Sequence, residues 1–255
     1  MRMKTLLAAA AALVLTATGA QAQALRVFVG GAATQPVREA GAEFTRRTGK
    51  ALDIVSDTTG SLQKRLRAGE KADVVVITAP AVDALQQEKL VLVPGRVDLA
   101  RGLIGVAVKT GAKAPDLSSE ASVKAALLAA KSVSYVDPKA GGTSGAFFEG
   151  QMARMGIAEA MKPKVVYRGQ GSEVAAAVAA GEAELGITFT SELTPNPGIR
   201  VAGTLPAPIQ LPTVYTAAVA ASTTDLAASQ ALVDVLKGPA GIAALRKAGL
   251  DVLVK

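Results

Sequence analysis

The chain has 255 residues and contains neither cysteine nor histidine. Without cysteine there are no disulfides, no thiol nucleophile and no cysteine-ligated metal. Without histidine, the usual general base near neutral pH and the commonest nitrogen ligand of zinc or copper are missing, and a Ser-His-Asp hydrolase is excluded. Any proton transfer must run through Asp, Glu, Lys, Arg, Tyr or backbone groups. Aromatic residues are scarce, with no Trp, 3 Tyr and 5 Phe. Nucleic-acid binding calls for a basic stripe with interleaved aromatics, and the 28 Lys and Arg are spread without a block. No nucleic-acid partner is expected. Past the first residues, no apolar stretch reaches the roughly 20 residues of a membrane-spanning helix. No metal-ligand cluster appears, and neither the Gly-Lys-Ser/Thr phosphate loop nor GxGxxG is present. Neither cofactor nor metal is expected.

The N-terminus has a plain signature. Arg2 and Lys4 precede the apolar run Leu6–Leu15, and Ala-Gln-Ala occurs at residues 20–22 and again at 22–24. This is the pattern of a secretory signal peptide over residues 1–24, cleaved after Ala22 or Ala24, and it predicts a periplasmic location. Cleavage removes two bases and no acids, so the formal charge falls from +7 to +5. A modest positive balance suits a small anionic ligand, or simply a solvated surface.

Two segments echo each other. Residues 62–78 read LQKRLRAGEKADVVVIT and residues 174–190 read VAAAVAAGEAELGITFT, an offset of 112 positions. Each is an amphipathic helix, an Ala-Gly-Glu stop and an apolar strand ending in Thr. Gly69 and Gly181 stand where a helix C-terminus favours a left-handed residue. Two α/β lobes on one plan follow, and the ligand of such sheets lies beyond the carboxyl ends of the strands.

Strands are predicted at Leu25–Val29, Leu52–Val55, Val74–Ile77, Leu103–Val108, Val133–Val136, Val165–Tyr167, Leu185–Phe189 and Val214–Val219. Helices are predicted at Pro36–Arg47, Leu62–Arg67, Val123–Ala130, Ala146–Met155, Glu173–Ala179, Leu226–Leu236 and Ala240–Ala248, with another after Pro80. Alternation of the two implies an α/β class with mostly parallel sheets. Residues 25–102 and 213–255 are expected to form a discontinuous first lobe, and residues 103–212 a second lobe with crossover segments.

Four strand-to-helix turns are rich in Gly, Ser and Thr: residues 30–34, 58–61, 140–144 and 169–172. Each would present free backbone N–H groups and hydroxyls at a helix N-terminus, which binds anions without a formal cation. One such turn is ordinary capping; four facing one cleft indicate a ligand site. In DPKAGGTSGAFF, Asp137–Phe148, glycines allow close backbone approach while Thr143 and Ser144 offer hydroxyls. Arg168, just after a strand, has the fork geometry for a carboxylate.

The stretches VFVGGAAT, TTGSLQKRLRAGEKADVVVIT, VDPKAGGTSGAFFEGQMARMG, AAGEAELGITFTSEL and VLKGPAGIAALRKAGLDV together resemble the periplasmic molybdate-binding family of type II solute-binding proteins. The resemblance spans nearly the whole mature chain. It implies a two-lobed type II periplasmic-binding fold with a two-strand hinge, a ligand between the lobes, and an ABC transporter as membrane partner. Family members hold an oxyanion with Ser hydroxyls, backbone amides and a Tyr. Here the first Ser position falls on Ala33 and the second within Thr58–Gly60, while the Tyr position falls on Phe189. Losing donors that solvate a buried oxyanion argues against molybdate. The expected ligand is therefore a di- or tricarboxylate, with Gly31, Ala33, Thr34, Thr59, Gly60, Ser61, Gly142, Thr143, Ser144, Arg168 and Phe189 as site residues. The same branch is similar to an exported aconitate isomerase, which implies a second reading, cofactor-free catalysis with Lys139, Glu149 or Tyr167 as candidate proton carriers. A molybdate or other oxyanion receptor is the third. A monomer is expected.

Overall fold

A computed structural model describes residues 23–254. The expected signal peptide, apart from its last two residues, lies outside the described residues. Among those described, no helix is long and apolar enough to cross a membrane.

Within the described residues the chain runs through strand β1 (Leu25–Gly30), helix α1 (Gly31–Thr48), β2 (Leu52–Asp57), α2 (Thr59–Arg67), β3 (Val74–Thr78), α3 (Ala79–Gln87) and β4 (Val97–Gly102). It continues through β5 (Ile104–Lys109), α4 (Glu120–Ala129), β6 (Val133–Val136), α5 (Thr143–Arg154), α6 (Ala158–Met161), β7 (Val165–Arg168), α7 (Gly171–Ala180), β8 (Leu185–Phe189), α8 (Thr190–Leu193) and β9 (Ile199–Thr204). It closes with β10 (Thr213–Val219), α9 (Leu226–Lys237), α10 (Pro239–Lys247) and β11 (Asp251–Val252).

Two sheets result, in the orders β11-β4-β10-β3-β1-β2 and β7-β6-β8-β5-β9. The internal echo survives in three dimensions. The central strands β3 and β8 each pair with one parallel and one antiparallel neighbour, β1 and β10 in one sheet, β6 and β5 in the other. Gly69 and Gly181 take φ of +87° and +82°, as a left-handed helix stop requires. The sheets are mixed rather than mostly parallel. Pairing is parallel where a helix crosses over (β1 with β2 and β3, β6 with β7 and β8) and antiparallel for β4, β5, β9, β10 and β11. β4, β9 and β11 went unread in the sequence. β9 ends next to Leu205-Pro206, β11 has only two residues, and β4 carries Asp98 and Arg101 on exposed positions, so none shows a clean apolar run.

Apolar side chains of both sheets and their helices form the core, with Phe28, Phe44, Tyr135 and Phe148 fully buried. α1 packs on α9 and α10, which ties the end of the chain to its beginning. The chain passes between the sheets twice, at Leu103 and through residues 205–212. Gln210 clamps these crossings together. Its Oε1 accepts from the Ile104 amide at 2.9 Å, and its Nε2 donates to the carbonyls of Ile104 at 2.9 Å and Leu205 at 3.0 Å. These two crossings form the expected two-strand hinge.

Candidate functional site

The helices α1, α2, α5 and α7 begin earlier than their hydrophobic periodicity suggests. Their first residues, Gly31, Thr59, Thr143 and Gly171, are those that read as loop in the sequence. β1 runs straight into α1, one residue separates β2 from α2, two separate β7 from α7, and six separate β6 from α5; in each case the small and hydroxylated residues at the junction reach into the first helical turn. All four first residues line one cavity between the sheets, about 30 Å³ in volume and shared with Asp57, Gly142, Ser144, Gln170, Phe189, Glu192 and Tyr215. Four helix N-termini thus bring the positive ends of their dipoles to one point; of their amides, those of Gly60, Ser61 and Gly171 are taken by the Gly141 carbonyl, the Thr58 hydroxyl and the Glu192 carboxyl. The cavity has room for about one water molecule; a larger ligand needs the lobes to part.

The two halves touch across this cavity through backbone and one hydroxyl. The Gly60 amide donates to the Gly141 carbonyl at 3.2 Å, and the Thr58 hydroxyl donates to the Ala140 carbonyl. A Cβ on Gly60 would lie 2.8 Å from the Gly141 Cα, so glycine is needed for the approach.

Glu192, in the short helix α8, projects its carboxyl into the cavity. Its Oε2 accepts a 2.6 Å hydrogen bond from Thr188 Oγ1, which shares a 3.1 Å hydrogen bond with the buried Ser144 hydroxyl. The carboxyl presses against the Cα atoms of Gly31 and Gly171, where a Cβ would stand 2.2 Å from it. Some of its surface meets the cavity, but protein surrounds it, and the loss of solvent pushes its pKa up to about 7. The Thr188 hydroxyl and the amides of Phe189 and Gly171 pull the other way and are outweighed. Tyr215 stands nearby, edge-to-face on Phe189 with centroids 5.7 Å apart. Burial first, and the Glu192 charge second, hold its phenol protonated far above neutral pH.

Residues 25–251 match the family described as bacterial extracellular solute-binding protein. The chain belongs to that family. It is 32% identical over 232 residues to an aconitate isomerase from Pseudomonas sp, covering 89% of this chain and 87% of the relative. It is 31% identical over 236 residues to the molybdate-binding protein ModA of Azotobacter vinelandii, covering 88% of each. Its fold superimposes on the solved Azotobacter vinelandii periplasmic molybdate-binding protein with a TM-score of 0.73 at 19% identity, over 89% of this chain and 98% of that one.

In this solute-binding protein the residues singled out from sequence divide into three groups. Gly31, Thr59, Gly142, Thr143, Ser144 and Phe189 line the cavity, and Gly60 forms its seam. Thr34 and Ser61 border neighbouring depressions, Thr34 sharing a 2.7 Å hydrogen bond with Ser56 and Ser61 donating to Asp57 at 2.6 Å. Ala33 is buried in the core, and its neighbour Ala32 takes the cavity wall. Arg168 is not brought to the cavity. Its guanidinium pairs with Glu182 and donates to the Tyr167 carbonyl at 2.8 Å.

The three candidate proton carriers also stand elsewhere. Lys139 borders a depression with Ser61, Lys64 and Glu173. Glu149 accepts from the Tyr167 hydroxyl at 2.9 Å, beside Tyr135 at 3.5 Å, in a cluster of its own. Sequence reasoning missed Glu192, Tyr215 and Gln170. An acid in the first turn of a helix ordinarily reads as a dipole partner, so nothing in Phe-Thr-Ser-Glu-Leu set Glu192 apart. Among the described residues, no cluster of acidic side chains could hold a metal ion.

Proposed function

We propose that the mature protein is a periplasmic receptor that closes around a small organic anion with two or three carboxylates. The observation that carries this reading is the cavity wall: the N-termini of α2 and α5 supply neutral donors for carboxylate oxygens, while Glu192 faces the same space. A fully deprotonated oxyanion brings acceptors alone and meets an acceptor in the Glu192 carboxylate. An organic acid places carboxylates on the helix ends and carbon against Glu192. The partner implied by the family is the membrane component of an ABC transporter, and the receptor acts as a monomer.

A second reading, aconitate isomerisation on the same scaffold, is favoured by the Pseudomonas relative that carries that name. Calorimetry on the processed protein with molybdate, sulfate, citrate and the two aconitates tests the receptor reading. Heat from citrate or aconitate, and none from molybdate, is the expected pattern. Tight molybdate binding with no response to organic acids would overturn it in favour of an oxyanion receptor.

A further inference from the structure

We propose that Glu192 is the catalytic acid–base group of the cleft, carrying a proton between two carbons of a bound unsaturated polycarboxylate; this rests on the polycarboxylate reading above. A buried carboxylate is normally matched with a cation. In this molecule Glu70 takes Arg26 and Arg65, Glu43 takes Arg46 and Arg47, and Glu182 takes Arg168. Glu192 forms no ion pair among the described residues. Its protein contacts are the Thr188 hydroxyl, two backbone amides and the Cα atoms of two glycines. Other titratable groups on the cavity wall are Tyr215 from β10, held protonated, and Asp57 from β2, which is occupied by the Ser61 hydroxyl at 2.6 Å.

The glycines at 31 and 171 matter because they let a charged carboxyl stand against two helix N-termini without an intervening side chain. The N-termini of α2 and α5 remain for substrate carboxylates, with Thr59 and Thr143 lining that side of the cavity. Reactive carbon would then lie against Glu192.

The proton shift balances without a cofactor. The Glu192 carboxylate takes a proton from the methylene carbon of aconitate, which is next to the double bond. The electron pair left behind forms a new double bond to the central carbon, and the old double bond opens onto the former vinyl carbon as a carbanion delocalised into its carboxylate. The Glu192 carboxylic acid returns the proton to that carbon. The product is again aconitate, with the double bond moved one carbon along, so either geometry can form. A base that titrates near the working pH serves both half-steps, and the raised pKa of Glu192 agrees with that need.

The test is proton NMR of cis- and trans-aconitate in deuterated water with protein purified after export, alongside calorimetry of the same samples. The wild type is expected to interconvert the isomers and deuterate the methylene and vinyl positions, with a rate rising through about pH 7. Glu192→Gln keeps the shape and the Thr188 hydrogen bond. It should lose at least about a hundredfold in rate while binding within a few fold of wild type. Glu192→Asp, a displaced carboxylate, should fall between. Binding without exchange in the wild type, or undiminished exchange in folded Glu192→Gln, overturns the proposal and leaves the receptor reading standing. Absence of aconitate and citrate binding overturns both.

Discussion

Replacing Glu192 by Gln should make the protein more stable, and the gain should depend on pH in a way that the lack of histidine makes easy to read. The carboxyl titrates near 7 in the fold, against an ordinary value of 4.5. Below pH 4.5 it is protonated in both folded and unfolded states and contributes nothing. Between 4.5 and 7 the folded state holds a proton that the unfolded state has released, so stability falls as pH rises. Above 7 the full penalty is present. At 1.36 kcal/mol per pH unit the penalty amounts to about 3 kcal/mol. For a domain of this size that corresponds to roughly 6–12 °C in Tm. Thermal unfolding of wild type and Glu192→Gln, followed by circular dichroism from pH 4.5 to 8.5, should give curves that meet at the acid end and separate by about that amount at the other. With no histidine or cysteine in the chain, the α-amino group is the other titrating group expected in this window, and it is common to both proteins. Parallel curves across the window would refute the argument that burial leaves this carboxyl uncompensated.

Three further outcomes follow from the geometry. Gly60→Ala puts a methyl group 2.8 Å from the Gly141 Cα; it should hold the lobes apart, lowering anion affinity at least tenfold in calorimetry and raising the radius of gyration in X-ray scattering, with little change in urea midpoint. Gln210→Leu removes the side-chain hydrogen bonds that join the two hinge crossings, at a cost of about 2–3 kcal/mol in urea unfolding; an unchanged midpoint would show that the clamp is redundant. Glu70, hydrogen-bonded first by Arg65 and then by Arg26, has its pKa lowered to about 2. Its contribution is therefore present above about pH 4.5 and lost as pH falls towards 2. Because the pair is partly solvent-exposed, Glu70→Gln should cost only about 1 kcal/mol at pH 7, and denaturant curves of the two proteins should converge in acid.

The sequence by itself determined the architecture, because the signals involved are local and periodic. The echo between residues 62–78 and 174–190, with a glycine that must turn left-handed in each copy, marked two lobes on one plan. The four Gly/Ser/Thr turns pointed to the strand ends as a candidate site, and six of the eleven residues drawn from them and from the family pattern line the cavity there. Where the helices start was misjudged because hydroxyl residues that cap a helix and those that form a loop have the same composition. The antiparallel pairing of β5 and β10 escaped because pairing direction is set by where the chain crosses between sheets, which no local pattern records. What occupies the centre of the cleft was a tertiary decision. Arg168 looked free and is held by Glu182, and Tyr215 arrives from the far end of the chain. Glu192 was not singled out in the sequence. Its chemistry comes from Gly31, more than 150 residues away, and Gly171 closing over it, because desolvation depends on which atoms surround a group and not on its neighbours along the chain.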